Sequence, residues 1–266
     1  MDDSAPKFEM PGGYVNGYVV AAAMASGFEP PSLAKPLDVC FVFDTTGSMY
    51  KYLDDVRNQL SHLTKQIAKR IRGVRIGVMA FGDHCDERKT YLVKTCPLTD
   101  NWSKISDWIH TVEGTYGGDE PEALEDALFE ANVLNWRFNT ARAIVLVGDA
   151  PPHGVSDSKS MCPNQRDWEQ ETRALAQKAV HVYTVQCGGK DDTTRAFRHI
   201  AEQTSGIHLN LHDAGDLVDL LIGVCMKEVG QLEEFEEHLA AVAALTDSKE
   251  KLFAALMAGS ETPVGA

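Results

Sequence analysis

Leu37-Asp38-Val39-Cys40-Phe41-Val42-Phe43-Asp44-Thr45-Thr46-Gly47-Ser48 is the stretch on which the fold turns. From Leu37 to Phe43 apolar side chains occupy both alternating sets of positions, as in a strand buried on both faces of a sheet. The run stops at an acidic residue, and hydroxyl side chains follow at every second position. Beyond it, Leu53, Val56, Leu60, Leu63, Ile67 and Ile71 recur at steps of three and four, one stripe of a helix that Gly73 ends.

The alternation continues outward. Val74 to Phe81 reads as a second strand, and Tyr91 to Thr95 as a short antiparallel edge strand close behind it. A helical stripe follows at Trp102, Ile105, Trp108, Ile109 and Val112. Another helix is expected to open at Pro121, with Glu120 and Glu122 near its positive end. Ala143 to Val147 is a strongly apolar strand ending in Gly148-Asp149. A helix around Asp167 to Ala179, a strand from His181 to Cys187, a helix from Thr193 to Gln203, a strand from Ile207 to Leu211 and a closing helix at Leu217 to Val224 complete the pattern. Strands alternating with helices predict an α/β fold: a doubly wound, Rossmann-like, mostly parallel sheet with helices on both faces.

Three regions divide the 266 residues. Residues 1–35 form an arm without periodicity, and 36–228 the α/β domain. Residues 229–266 form a C-terminal helical extension, where Glu233, Glu234, Glu236 and Glu237 alternate with Leu232, Phe235, Leu239 and Val242. That helix either packs with a solvated acidic face or docks a partner.

The formal net charge of −14 repels phosphate backbones and argues against nucleic acid as a partner. No apolar run approaches the ~20 residues of a membrane helix, and Asp2, Asp3 and Glu9 give the start of the chain the wrong charge for an export signal. Cys40, Cys85, Cys96, Cys162, Cys187 and Cys225 include no C-x-x-C pair, so spacing indicates no zinc motif. Reduced thiols and a cytoplasmic setting are expected.

Ligands of doubly wound sheets bind beyond the carboxyl ends of the strands. There the sequence places Asp44, Thr46 and Ser48 after the first strand and Asp149 after the fourth, with Asp119 in the loop Gly117-Gly118-Asp119-Glu120-Pro121-Glu122 between them. Hard oxygen donors of this kind select Mg²⁺, Mn²⁺ or Ca²⁺, with helix capping as the alternative role for each residue taken singly. His84, His153 and Met161 lie in loops at the same edge and are candidates for contact with a partner.

These residues resemble a known family. Asp44-Thr45-Thr46-Gly47-Ser48-Met49 is similar to the D-x-[ST]-x-S signature of von Willebrand factor A-type domains, which form a metal-ion-dependent adhesion site. Asp149 resembles the family's later strand-end aspartate, and Asp119 stands where integrin-type domains place a threonine. Gly-Gly-Asp-x-Pro-Glu resembles the hemicentin-like branch and the vWA part of alpha-kinases, and Asp83-His84-Cys85-Asp86 and Asp149-Ala150-Pro151-Pro152-His153-Gly154 resemble that second group.

The resemblance implies a Mg²⁺-dependent protein-interaction module, a scaffold or regulatory subunit. It would meet an acidic side chain of another protein, with an ATPase or kinase as the implied partner class. The added carboxylate of Asp119 strengthens cation binding and weakens capture of a partner's acid. Too few residues follow the domain for a kinase, so kinase activity is not carried over. The alternatives are a metal-dependent hydrolase or phosphatase, or a structural subunit with a vestigial site. A haloacid-dehalogenase-type phosphatase needs a second acid where Thr46 stands.

Overall fold

The computed structural model describes residues 35–52, 63–64, 67–68, 71–118, 120–154, 161–211, 217–241 and 245–258. The predicted arm lies almost wholly outside these residues, as do Leu53, Val56, Leu60 and Val242 of the predicted stripes.

Six strands form one sheet: β1 (Leu37–Asp44), β2 (Arg75–Phe81), β3 (Val93–Thr99), β4 (Ala141–Gly148), β5 (His181–Cys187) and β6 (His208–Leu211). Their spatial order is β3-β2-β1-β4-β5-β6. All neighbours are parallel except β3, which runs antiparallel to β2 at the edge. The sheet starts at β1 and winds in both directions, as the doubly wound pattern requires.

β1 shows how the sequence builds two layers. All eight of its residues are buried. Leu37, Val39, Phe41 and Phe43 enter one core while Cys40 and Val42 enter the other, because successive side chains of a strand point to opposite faces. The first core takes α1 (Trp102–His110) through Ile105 and Ile109, together with Leu63, Ile67 and Ile71 of the helical stripe before β2. The second takes α2 (Leu124–Asn132), α3 (Trp168–Gln177) and α4 (Asp191–Gln203). Asn101 caps α1 through the Lys104 N–H and Asp167 caps α3 through the Glu169 and Gln170 N–H groups.

Three helices close the first face: α5 (Leu217–Glu228), α6 (Leu232–Ala241) and α7 (Asp247–Ala258). Phe235 and Leu239 of α6 and Phe253 and Leu256 of α7 are fully buried in the same core as β1. The helical extension therefore packs onto the sheet domain, with Glu233 and Glu234 exposed on its outer side. Among the described residues no helix is long and apolar enough to cross a membrane.

Two expected boundaries move. β3 begins at Val93 and runs to Thr99, further along than Tyr91 to Thr95. α2 begins at Leu124 and not at Pro121. The segment before it is held away from the helix axis: the Glu122 N–H donates to the Pro151 carbonyl and the Ala123 N–H to the Gly82 carbonyl. Glu122 bridges to Pro152 as an isolated β-pair.

Candidate metal centre

β1 and β4 end side by side, with Phe43 in register with Val147. Asp44 and Asp149 therefore emerge at the same edge. Gly148 permits the contact, since a Cβ there would stand 3.2 Å from Asp44 Cβ. Past Asp44 the chain passes through extended Thr46 into a short 3-10 turn, Gly47–Met49. Asp44 Oδ1 accepts both the Thr46 N–H and the Thr46 hydroxyl, at 2.9 and 2.7 Å. Ser48 donates to Asp149 Oδ1 at 2.9 Å.

The loop between α1 and α2 closes the site. Asp86 is buried, and its Oδ2 receives the N–H groups of Tyr116 and Gly117 at 2.9 and 2.7 Å. That fixes the Gly-Gly turn leading to Asp119, which itself lies outside the described residues. Gly117 has φ +74, and a Cβ there would come within 3.0 Å of Glu122 Oε1, so the turn and the approach of Glu122 both require glycine.

Glu122 is the site residue that the sequence reading misplaced. It is buried, not at a helix start, and sits beside Asp44, Thr46 and Asp149. Its Oε2 and the Oδ2 of Asp44 are buried without a hydrogen-bond partner. Burial, with Asp44 and Asp83 adding, pushes the Glu122 carboxyl up to about 10. Burial, with Asp149 adding, pushes Asp44 to about 7 against the opposing Thr46 hydrogen bonds. Glu122, Thr46 and Asp149 border a cavity of about 300 Å³ that Ser48, Tyr116 and Lys190 help to line. Lys190 reaches Glu120 at 3.3 Å across its exposed rim.

Two buried carboxylate oxygens without partners, two hydroxyls and the Asp149 carboxylate fit a hard divalent cation such as Mg²⁺. The Thr46 hydroxyl is donated to Asp44, so it stands where a phosphatase of the kind considered above needs an acid.

His84 and His153 both contact carboxylates of α2. His153 is buried, with Nδ1 2.9 Å from Glu125 Oε1 and its N–H donated to Glu125 Oε2 at 3.1 Å. His84 Nε2 lies 3.5 Å from Glu125 Oε1 and 3.3 Å from Asp126 Oδ2. Although burial would raise it, hydrogen bonds from His153 and His84 hold Glu125 at about 2. Both rings turn inward because the first turn of α2 presents adjacent carboxylates to them. Met161 is 70% exposed and stays available to a partner.

A doubly wound sheet with an Asp-x-Thr-x-Ser turn at its central strand and an aspartate at the next one defines a class of α/β domain built around a strand-edge cation. The family model for the von Willebrand factor type A domain matches residues 38–221, and the chain belongs to that family. It is 26% identical over 196 residues to an ariadne-like RING finger protein of Acanthamoeba polyphaga mimivirus, covering 68% of this chain and 19% of the relative. It is 24% identical over 153 residues to integrin beta-6 of Rattus norvegicus, covering 47% and 19%. To alpha-protein kinase vwkA of Dictyostelium discoideum it is 21% identical over 121 residues, covering 45% and 19%. The matched part is thus a fifth or less of each relative. Among solved structures, the pilus adhesin SpaC from Lactobacillus rhamnosus GG superposes with a TM-score of 0.58 at 13% identity, covering 76% of this chain and 31% of that one. That likeness is one of fold.

Proposed function

We propose that the chain is a divalent-cation-dependent protein-interaction module, not an enzyme, in which Mg²⁺ binds at Asp44, Thr46, Ser48, Asp119 and Glu122, with Asp149 acting through Ser48. One observation carries the reading: Asp44 Oδ2 and Glu122 Oε2 are buried with no hydrogen bond, beside a strand-edge cavity that Glu122, Thr46, Ser48 and Asp149 line. Unpaired buried carboxylate oxygens are costly, and a cation is what relieves that cost when the surrounding donors are all oxygen.

The cation would supply an open coordination position. Magnesium keeps near-octahedral geometry and retains water where protein ligands run out, so an oxygen of another protein can take that position. Several carboxylates in one site favour holding the cation over capturing a partner's acid, so the partner's oxygen need not be a carboxylate. An ATPase or kinase is the partner class that the family resemblance implies, and a cytoplasmic setting is part of the same proposal. In this proposal the chain acts as a scaffold or regulatory subunit, with Met161 on the contact surface.

The test is calorimetric titration of Mg²⁺ into the parent and into Asp44→Ala, with thermal scans of both. A ligand at about 100 times its Kd stabilises a fold by about 2.7 kcal/mol. The parent should gain on this scale and the variant should not. A variant that responds as the parent does refutes the assignment. Partner capture with and without added Mg²⁺ then separates a docking site from a merely structural one.

A further inference from the structure

Four side chains from three separate segments converge behind the Asp44 site. His84 comes from the 3-10 turn after β2, Glu125 and Asp126 from the first turn of α2, and Cys162 from the loop after β4. One ligand atom from each lies within 4.8 Å of all the others. Four of the separations are individually resolved. His84 Nε2 is 3.5 Å from Glu125 Oε1, 3.3 Å from Asp126 Oδ2 and 3.7 Å from Cys162 Sγ, and Cys162 Sγ is 3.4 Å from Asp126 Oδ2.

Zinc bonds of about 2.0–2.1 Å to nitrogen or oxygen and about 2.3 Å to sulfur, set at tetrahedral angles, place ligand atoms roughly 3.3–3.6 Å apart. Three of the four edges, at 3.3, 3.4 and 3.5 Å, fall at that spacing, and the His84–Cys162 edge at 3.7 Å is slightly wider. Each carboxylate also divides its oxygens. Asp126 Oδ1 takes the Asn164 amide at 2.8 Å and leaves Oδ2 to the cluster. Glu125 Oε2 takes the His153 N–H and leaves Oε1 to the cluster, where His153 Nδ1 supports it at 2.9 Å. Orienting contacts of this kind are what hold metal ligands in place.

We infer that His84, Glu125, Asp126 and Cys162 form a second metal site, selective for Zn²⁺ and separate from the strand-edge oxygen site. A thiolate and an imidazole favour zinc over magnesium. Four protein ligands leave no open position, so the site is structural: it clamps the loop carrying Cys162 onto α2 and the turn after β2. The inference stands independently of the Mg²⁺ reading, since the two sites share no ligand. Without a metal, the same atoms form only the contacts of His84 with two carboxylates and the Cys162 thiol's hydrogen bond to Asp126.

Metal analysis of the reduced, dialysed chain should find stoichiometric zinc. Replacement by Co²⁺ should give the thiolate-to-metal charge-transfer band and the intense visible bands of tetrahedral cobalt. Cys162→Ser should lose the charge-transfer band, and His84→Ala should weaken zinc by more than the roughly 10–100-fold that an outer partner costs. Asp44→Ala should keep its zinc. A parent chain without zinc whose Co²⁺ complex shows no charge-transfer band overturns the inference, and so does a band that survives in Cys162→Ser. Should a variant fail to fold, the cobalt spectrum of the parent decides, because the band requires a thiolate on the metal.

Discussion

Ser48 Oγ donates to Asp149 Oδ1 at 2.9 Å, a hydrogen bond between residues 101 positions apart that ties the end of β1 to the end of β4. Its direction matters. The Ser48 hydrogen is spent on Asp149, so the hydroxyl lone pairs face the cavity, where a cation can accept them. Asp149→Asn keeps an acceptor for Ser48 but removes the charge behind it. Mg²⁺ affinity should fall by about 10–100-fold, the usual cost of losing an outer partner. Calorimetric titration checks this, and an unchanged affinity would place Asp149 outside the site.

Glu122→Gln separates the two roles a buried carboxyl can have. Without metal, burial already holds Glu122 neutral at pH 7, its carboxyl standing near 10. The amide is nearly isosteric with that neutral acid. The variant's metal-free stability, measured by urea unfolding, should stay within about 1 kcal/mol of the parent, while its response to Mg²⁺ should collapse. A large loss of metal-free stability would instead show a charged Glu122 held by a protein cation.

The same shifts set a pH dependence. Asp44 moves from 3.8 to about 7 and Glu122 from 4.5 to about 10, both upward. Between each pair of values the folded chain binds more protons than the unfolded one, so metal-free stability falls as pH rises. The loss begins near 4, is steepest up to about 7 where both carboxyls contribute, and continues more gently toward 10 on Glu122 alone. Mg²⁺ displaces those protons, so the rise in Tm on adding Mg²⁺ should grow over the same range. Thermal scans on either side of pH 7 test it, and a rise in Tm that does not vary with pH would contradict it.

The residues explain which parts of this architecture can be read from the chain alone. β1 was legible because burial on both faces leaves an unbroken apolar run, and Asp44-Thr46-Ser48 because the motif is contiguous. Asp149 followed from its position after an equally apolar strand. Glu122 was not legible in the same way. An acidic residue after proline looks like a helix first turn, and only the hydrogen bond from its N–H to Pro151, far along the chain, pulls it into the cavity. Glu125 and Asp126, which do occupy the first turn, look like ordinary partners of the helix dipole. The cluster they form with His84 and Cys162 spans 78 residues from end to end and leaves no local spacing to detect. Met161 and Cys162 are adjacent, yet one is exposed and the other buried, a difference that no periodicity in an irregular loop announces.

The C-terminal helices offer a last test, of whether they belong to the fold or stand apart to meet a partner. Lys249 Nζ on α7 lies 3.2 Å from Asp219 Oδ2 on α5, and both side chains are almost wholly buried. The helices cross so closely there that a Cβ at Gly223 would stand 2.9 Å from Leu256 Cδ1. Lys249→Ala strands the Asp219 charge in the core and should cost about 3–5 kcal/mol, as breaking a buried pair does. Replacing both partners with apolar side chains should recover most of that loss, since a well-packed apolar pair avoids the desolvation penalty altogether. Urea unfolding of the single and double variants measures the difference. A single variant as stable as the parent would mean that the ion pair contributes nothing to the docking of α7 onto α5.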